Sequence, residues 1–340
     1  MRIYDLCKRY CIFICVLFGI FSRTAKADPL EAFIRGFNFS YDLGSKIEEY
    51  RDTSNNIFPY FESICDDIGA LEVSPYLARN LKMEVISFSD KLKCVIPKTN
   101  VGQGIYCIND NSLNNHFVVA PHPVEDNGTG ALAVKVFQSI KAKFLYISSI
   151  SRCATKFESE CSGKTSICGE LGAYRISDFA HHEQNFLHAL TIAFEKKYKQ
   201  AVQIQIHACG EKNCPTNEKN NIISRISGGG KIEMTKDSYP NLLAQNMKKI
   251  IRERSLNAKV LSCNLKGEES YKLCASTNLQ GRLLNGVLSN TCKDKASNFK
   301  NRFLHIETNY DLRNKIRNDD KINEDLLIDA LKLTFNKSNK

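Results

Sequence analysis

Residues 116–150, HFVVAPHPVEDNGTGALAVKVFQSIKAKFLYISSI, read as one supersecondary unit. His116 to Ala120 is a short apolar run of strand type, and Phe144 to Ile150 is a second. Between them, Gly130 to Ile140 sets Leu132, Val136 and Ile140 at helical spacing, with Ala133 and Phe137 beside them. Strand, helix, strand in so short a stretch predicts a βαβ crossover. The alternation continues towards the C-terminus. Helices are expected at 183–198, 239–251 and 322–335, and strands at 201–207, 222–226, 259–263 and 302–309. Such a pattern predicts an α/β fold with a mixed, mainly parallel sheet and helices on both faces.

Upstream, the pattern weakens. Short β-type runs fall at 83–88, 93–96 and 105–108, and the polar stretch before them offers only a brief helix at 30–34. We therefore read 28–110 as an N-terminal extension of unknown role and 111–340 as the catalytic-size domain.

The first 27 residues are of another kind. Arg2, Lys8 and Arg9 precede an apolar run from Cys11 to Phe21, and Ala25-Lys26-Ala27 ends it with small residues, the pattern of a secretory signal peptide. An uncleaved anchor is the competing reading, although eleven apolar residues span a bilayer poorly. Cleavage would remove five basic residues and one acidic residue, taking the formal charge from +10 to +6, and would leave eleven of the 14 cysteines. An odd number of cysteines in an exported chain predicts disulfides with at least one thiol left over. Short loops suggest Cys94–Cys107, Cys161–Cys168, Cys209–Cys214 and Cys263–Cys274. No C-x-x-C pair occurs, so cysteine-bound metal is disfavoured.

Composition excludes several classes. With 43% hydrophobic and 25% charged residues the chain is neither collagen-like, disordered nor a polytopic membrane protein. Its charge is spread along the sequence and tryptophan is absent, which gives no nucleic-acid footprint. There is no G-x-S-x-G elbow, and Gly228 to Gly230 lacks dinucleotide-loop spacing.

Seven histidines remain to be weighed. His122 follows one strand, with Glu125 three residues later, and His207 ends another. Glu307 lies near the carboxyl end of a third. Open α/β sheets bind ligands outside those strand ends. Three ligands from His and Asp/Glu, with a carboxylate base nearby, is the usual kit of catalytic zinc. His181 and His182, expected at a helix start, read as structural; His188 and His305 read as packing residues.

FVVAPHPVEDNGTGALA, VQIQIHAC and FLHIETNYDLR together resemble zinc hydrolases of the carboxypeptidase-like superfamily, in particular the poly-γ-glutamate hydrolase and N-formylglutamate amidohydrolase branches. The resemblance covers 115–340 and implies a carboxypeptidase-like α/β fold. It implies that His122, Glu125 and His207 hold zinc and that Glu307 is the general base. Arg152 would polarise the scissile carbonyl. Asn278 and Arg282, four apart, and Arg313 are candidates to clamp a substrate carboxylate, which guanidinium binds bidentately. Pro123 after the first ligand and the cysteine-bearing loops depart from those branches.

The expected activity is hydrolysis of an amide bond in a peptide-like or γ-glutamyl-type substrate, acidic in character if the basic residues serve it, by an exported enzyme that meets membrane only during export. Two rivals are a cell-wall N-acetylmuramoyl amidase and a disulfide-rich exported binding protein without metal. The short H-x-x-E spacing favours the carboxypeptidase-like reading over the first, and zinc content separates the second.

Overall fold

The structure, a computed structural model, describes residues 28–40, 83–98, 104–217, 220–265, 272–313 and 324–336. The signal-type segment and Cys65 lie outside the described residues. The first element is helix α1 (Pro29–Gly36), started by Asp28, whose Oδ1 accepts from the N–H groups of Leu30 and Glu31. It buries Leu30 and Ile34 against α2 (Thr129–Ser139).

Strands β1 (Met83–Ser89), β2 (Leu92–Pro97) and β3 (Ile105–Asn109) form an antiparallel meander, and β3 pairs with β5 (Phe144–Ile147). Residues 83–109 are thus part of the same sheet as the segments after 110. Beyond β5 come β4 (Phe117–Ala120), β6 (Gln203–Ala208) and β10 (Phe303–Thr308), all parallel. Antiparallel β8 (Asn220–Ser227) follows, with the short β7 (Thr216–Asn217) and parallel β9 (Lys259–Ser262) against it. The order is β1-β2-β3-β5-β4-β6-β10-β8-β7. The α/β sheet with covered faces is what the alternating pattern predicts.

Alternation along the strands sorts the core. Val118 and Ala120, Ile204 and Ile206, and Leu304 and Ile306 share one face with α2, α4 (Tyr239–Glu253) and α7 (Glu324–Asn336). Phe117, Val119, Phe144, Tyr146 and Phe303 face α3 (Phe186–Lys197) instead. On this second face β6 and β10 also carry Gln203, Gln205, His207, His305 and Glu307, all buried. The glutamines of this column are tied to one another and to their cover. Gln203 donates to Thr191, Gln205 donates to Gln280, and Asn278 donates to Gln205.

Chain direction makes a crevice. From β4 the chain turns through α2 to β5 on one side, while β6 lies on the other, so β4 and β6 border the topological switch point. Gly128, at φ +87°, makes the tight entry to α2 that a side chain would strain.

Ten cysteines form Cys94–Cys107, Cys153–Cys168, Cys161–Cys292, Cys209–Cys214 and Cys263–Cys274. The expected Cys161–Cys168 pair is corrected. The strand-like contact of Thr165 with Gly172 turns Cys168 outward to Cys153, whereas Ser162 N–H donates to Cys292 C=O and draws Cys161 to the far loop. No helix among the described residues is long and apolar enough to cross a membrane.

Candidate metal centre

Asp126 N–H donates to His122 C=O at 2.8 Å, closing one helical turn after β4 that brings Asp126 back beneath His122. His207, at the end of β6, approaches from the neighbouring strand. Asp126 Oδ2 stands 3.3 Å from His207 Nδ1 and 3.7 Å from His122 Nδ1, and it is buried with no hydrogen bond of its own. His122, Asp126 and His207 form a buried donor group in which one atom from each could meet one cation. Two imidazole nitrogens and a carboxylate oxygen suit zinc's preference for N and O donors.

The far nitrogens of both histidines are held. His122 Nε2 is 2.8 Å from Asp178 Oδ1, and His207 Nε2 is 3.2 Å from Gln205 Oε1. Such anchoring fixes the ring orientation of metal-binding histidines. Asp178 is a hub. Its Oδ1 also meets His181 Nδ1 at 2.8 Å and the Ala180 N–H, and its Oδ2 accepts from Arg152 Nε at 2.9 Å and from Arg152 Nη2.

The charges follow from these contacts. Burial opposes a charge on Asp178, yet Arg152, His181 and His122 outweigh it and hold its pKa well below the ordinary value. Burial likewise opposes ionisation of Asp126, and the neighbouring imidazoles of His122 and His207 prevail, so it too is depressed. For His122, burial and the Arg152 charge resist protonation, while Asp178 and Asp126 overcome them and raise its pKa. His207 is lowered, chiefly by burial.

Glu307 sits directly across from His207 in the parallel pairing of β10 with β6. Burial first, then the Asp126 charge, push its pKa well above the carboxylate range. His305 Nε2 lies 3.4 Å from Glu307 Oε1, and the His305 ring is 4.6 Å from that of His207. A crevice of about 430 Å³ opens over these groups, lined among others by His122, Arg152, Tyr174, His207, His305 and Glu307. Tyr174 stacks on His181 at 3.7 Å and its hydroxyl meets Thr277 Oγ1 at 2.8 Å, which braces the crevice wall.

The residues named from sequence are distributed as follows. His122, His207, Glu307 and Arg152 converge on the crevice. Glu125 is in none of the candidate donor groups among the described residues, its carboxylate accepting from Ser151 Oγ and from Arg152 N–H. Asn278 reaches the crevice but caps α5 (Leu279–Leu284), accepting from Gly281 N–H. Arg282 is fully buried and donates to the carbonyls of Ser276, Thr291 and Cys292 and to Ser162 Oγ, so it knits loops together. Arg313 donates to the carbonyls of Asn127 and Thr308.

His181 and His182 precede α3, which starts only at Phe186 under the Asn185 cap. His305, read from sequence as a packing residue, faces the crevice. The residues missed from sequence are Asp126 and Asp178. Asp126 carries a local signal, an acid four residues after a histidine; Asp178 has none.

No family model matches the chain, and no curated protein does either. Among solved structures it is similar to a Shewanella denitrificans OS-217 protein described as "Putative carboxypeptidase A", at 10% identity and a TM-score of 0.37, over 82% of this chain and 69% of that one. That likeness is too slight to assign fold or activity.

Proposed function

We propose that the chain is an exported zinc-dependent hydrolase that cleaves an amide bond in a peptide-like or γ-glutamyl-type substrate. The observation that carries this reading is the convergence of His122, Asp126 and His207 at the switch point of the sheet, with a buried Asp126 oxygen left without a hydrogen bond. Cation binding is the simplest way to satisfy that oxygen. His122 and His207 through Nδ1, and Asp126 through Oδ2, would hold the metal, with His122 Nδ1 giving up its 3.2 Å contact with Arg152 Nη1 to do so. Bound there, zinc supplies Lewis-acid polarisation and lowers the pKa of a water.

The chain's own residues do the rest. Glu307, on the next strand, takes the proton of the attacking water and returns it to the leaving amine. Repulsion from Asp126 contributes to keeping Glu307 neutral, so neutralising Asp126 restores its capacity as a base. Arg152 is pre-aimed by its two bonds to Asp178 and lines the crevice, where its charge stabilises a developing oxyanion. Residues 273–278 form one wall of the crevice. Five disulfides support life in an oxidising compartment.

Metal analysis of the purified protein tests this. About one zinc per chain is expected, with loss of the metal in His122→Ala and His207→Ala. A wild-type protein that takes up no zinc when supplied with it overturns the reading. Glu307→Gln should keep the metal and lose turnover on amide substrates; undiminished turnover would remove Glu307 from the base role.

A further inference from the structure

A second cavity lies at the opposite, amino end of the parallel strands, with a volume of about 830 Å³. Small-molecule sites are typically ~300–1,000 Å³. Its wall is built from the starts of β4 and β6 and from the last turns of α2, α3 and α7. Among the described residues four lysines line it, Lys141, Lys197, Lys199 and Lys332, and no acidic residue does. Lys199 is paired with Glu195 at 3.0 Å, whereas Lys141, Lys197 and Lys332 have no carboxylate partner among the described residues.

Lysines near helix C-termini complement the negative end of the helix dipole, and this must be set against a ligand role. Three helix ends contribute roughly half a negative charge each, which three unpaired ammonium groups exceed. The surplus is positive.

Two further features point to a ligand. His116 is 8% exposed and lines the cavity, and its Nδ1 accepts from Val202 N–H at 3.2 Å. Its proton therefore sits on Nε2, a donor with no partner among the described residues. Lys141 is held at φ +49°, the left-handed position after a helix that favours glycine. That turn places Lys141 in the cavity lining. Half-buried Tyr198 and Tyr239 add aromatic rings to the wall, and Lys197 already lies 5.9 Å over the Tyr198 ring.

We propose that this cavity binds a sugar bearing phosphate or sulfate esters, with the lysines and His116 Nε2 on the oxyanion and the tyrosine rings on the sugar. The site is separate from the metal centre and independent of the reading given for it. Isothermal titration of the full chain with glucose 6-phosphate, glucose 6-sulfate, glucose and inorganic phosphate tests it. One or both sugar esters should bind, at least tenfold more tightly than glucose or inorganic phosphate, and binding should weaken with added salt.

The ester preferred identifies the anion. Lys141→Gln/Lys197→Gln/Lys332→Gln, changes at exposed side chains, should cut affinity tenfold or more with an unchanged circular dichroism spectrum. Equal affinity in that variant, or no binding of either ester, overturns the proposal. If inorganic phosphate binds as tightly as the esters, the sugar part is overturned.

Discussion

His116 and His122 flank the same strand, β4, and the protein makes opposite chemistry of them. Both are buried. At the amino end, burial acts alone and lowers His116 to about 4. At the carboxyl end, the same desolvation is overcome by Asp178 and Asp126, and His122 is raised. Burial is common to both, and the carboxylates present beside His122 and, among the described residues, absent beside His116 make the difference. Loops after the strands deliver acids to the imidazole, and those before the strands deliver lysines and helix C-termini.

The sharpest way to break this contrast is at Asp126. Asp126→Asn should abolish tight zinc binding, whereas Glu125→Gln should leave about one zinc per chain, because Glu125 is engaged with Ser151 and Arg152. Atomic absorption on dialysed protein reads both. The reverse outcome would make Glu125 the ligand.

Next in size is the dependence of stability on pH. The folded-state pKa of His116 lies below its unfolded value of ~6.5, so the unfolded chain binds the extra proton as pH falls. Its contribution is intact above pH 6.5 and is lost towards pH 4, by about 3 kcal/mol for a shift of this size. His122 in the metal-free protein works with opposite sign, stabilising below pH 6.5 and losing that contribution as pH rises through its raised pKa. Urea midpoints across pH 4–7 should therefore show a shallower acid loss in His116→Gln and a steeper one in metal-free His122→Gln. Parallel profiles would refute the comparison.

Asp178→Asn should weaken zinc binding by ~10–100-fold, the usual cost of removing the partner that orients a ligating histidine, measured by chelator competition. An unchanged affinity would show that Asp178 serves Arg152 alone. The smallest effect is at the other end. Lys141→Gly should stabilise by up to about 1 kcal/mol, since glycine tolerates the left-handed backbone, while weakening ester binding in the amino-end cavity.

Much of this was legible in the sequence. The β4–α2–β5 unit could be read because two short, continuous apolar runs flank a segment with helical spacing. The strand expected from Phe144 to Ile150 ends at Ile147, and Ile150, the apolar residue that prolonged the run, keeps only an isolated parallel bridge to Ser40. Helix α5, at six residues, is too short to show a period. His207 and Glu307 were visible as polar residues closing apolar strands. Asp178 was not, because its partners Arg152 and His122 lie 26 and 56 residues away and only the fold joins them.

The Cys161–Cys292 bridge has a consequence for how the chain is made. During synthesis Cys153, Cys161 and Cys168 emerge together, and the last of Cys161's candidates, Cys292, follows 131 residues later. In the interval Cys168 is its nearest neighbour, and capturing it would leave Cys153 and Cys292 both stranded. Loop closure favours that short ring kinetically, so correct maturation depends on thiol exchange after the C-terminal half has arrived. A host that oxidises cysteines without reshuffling them should yield a trapped, mispaired product, and production of the active protein is then limited by isomerase rather than by oxidant.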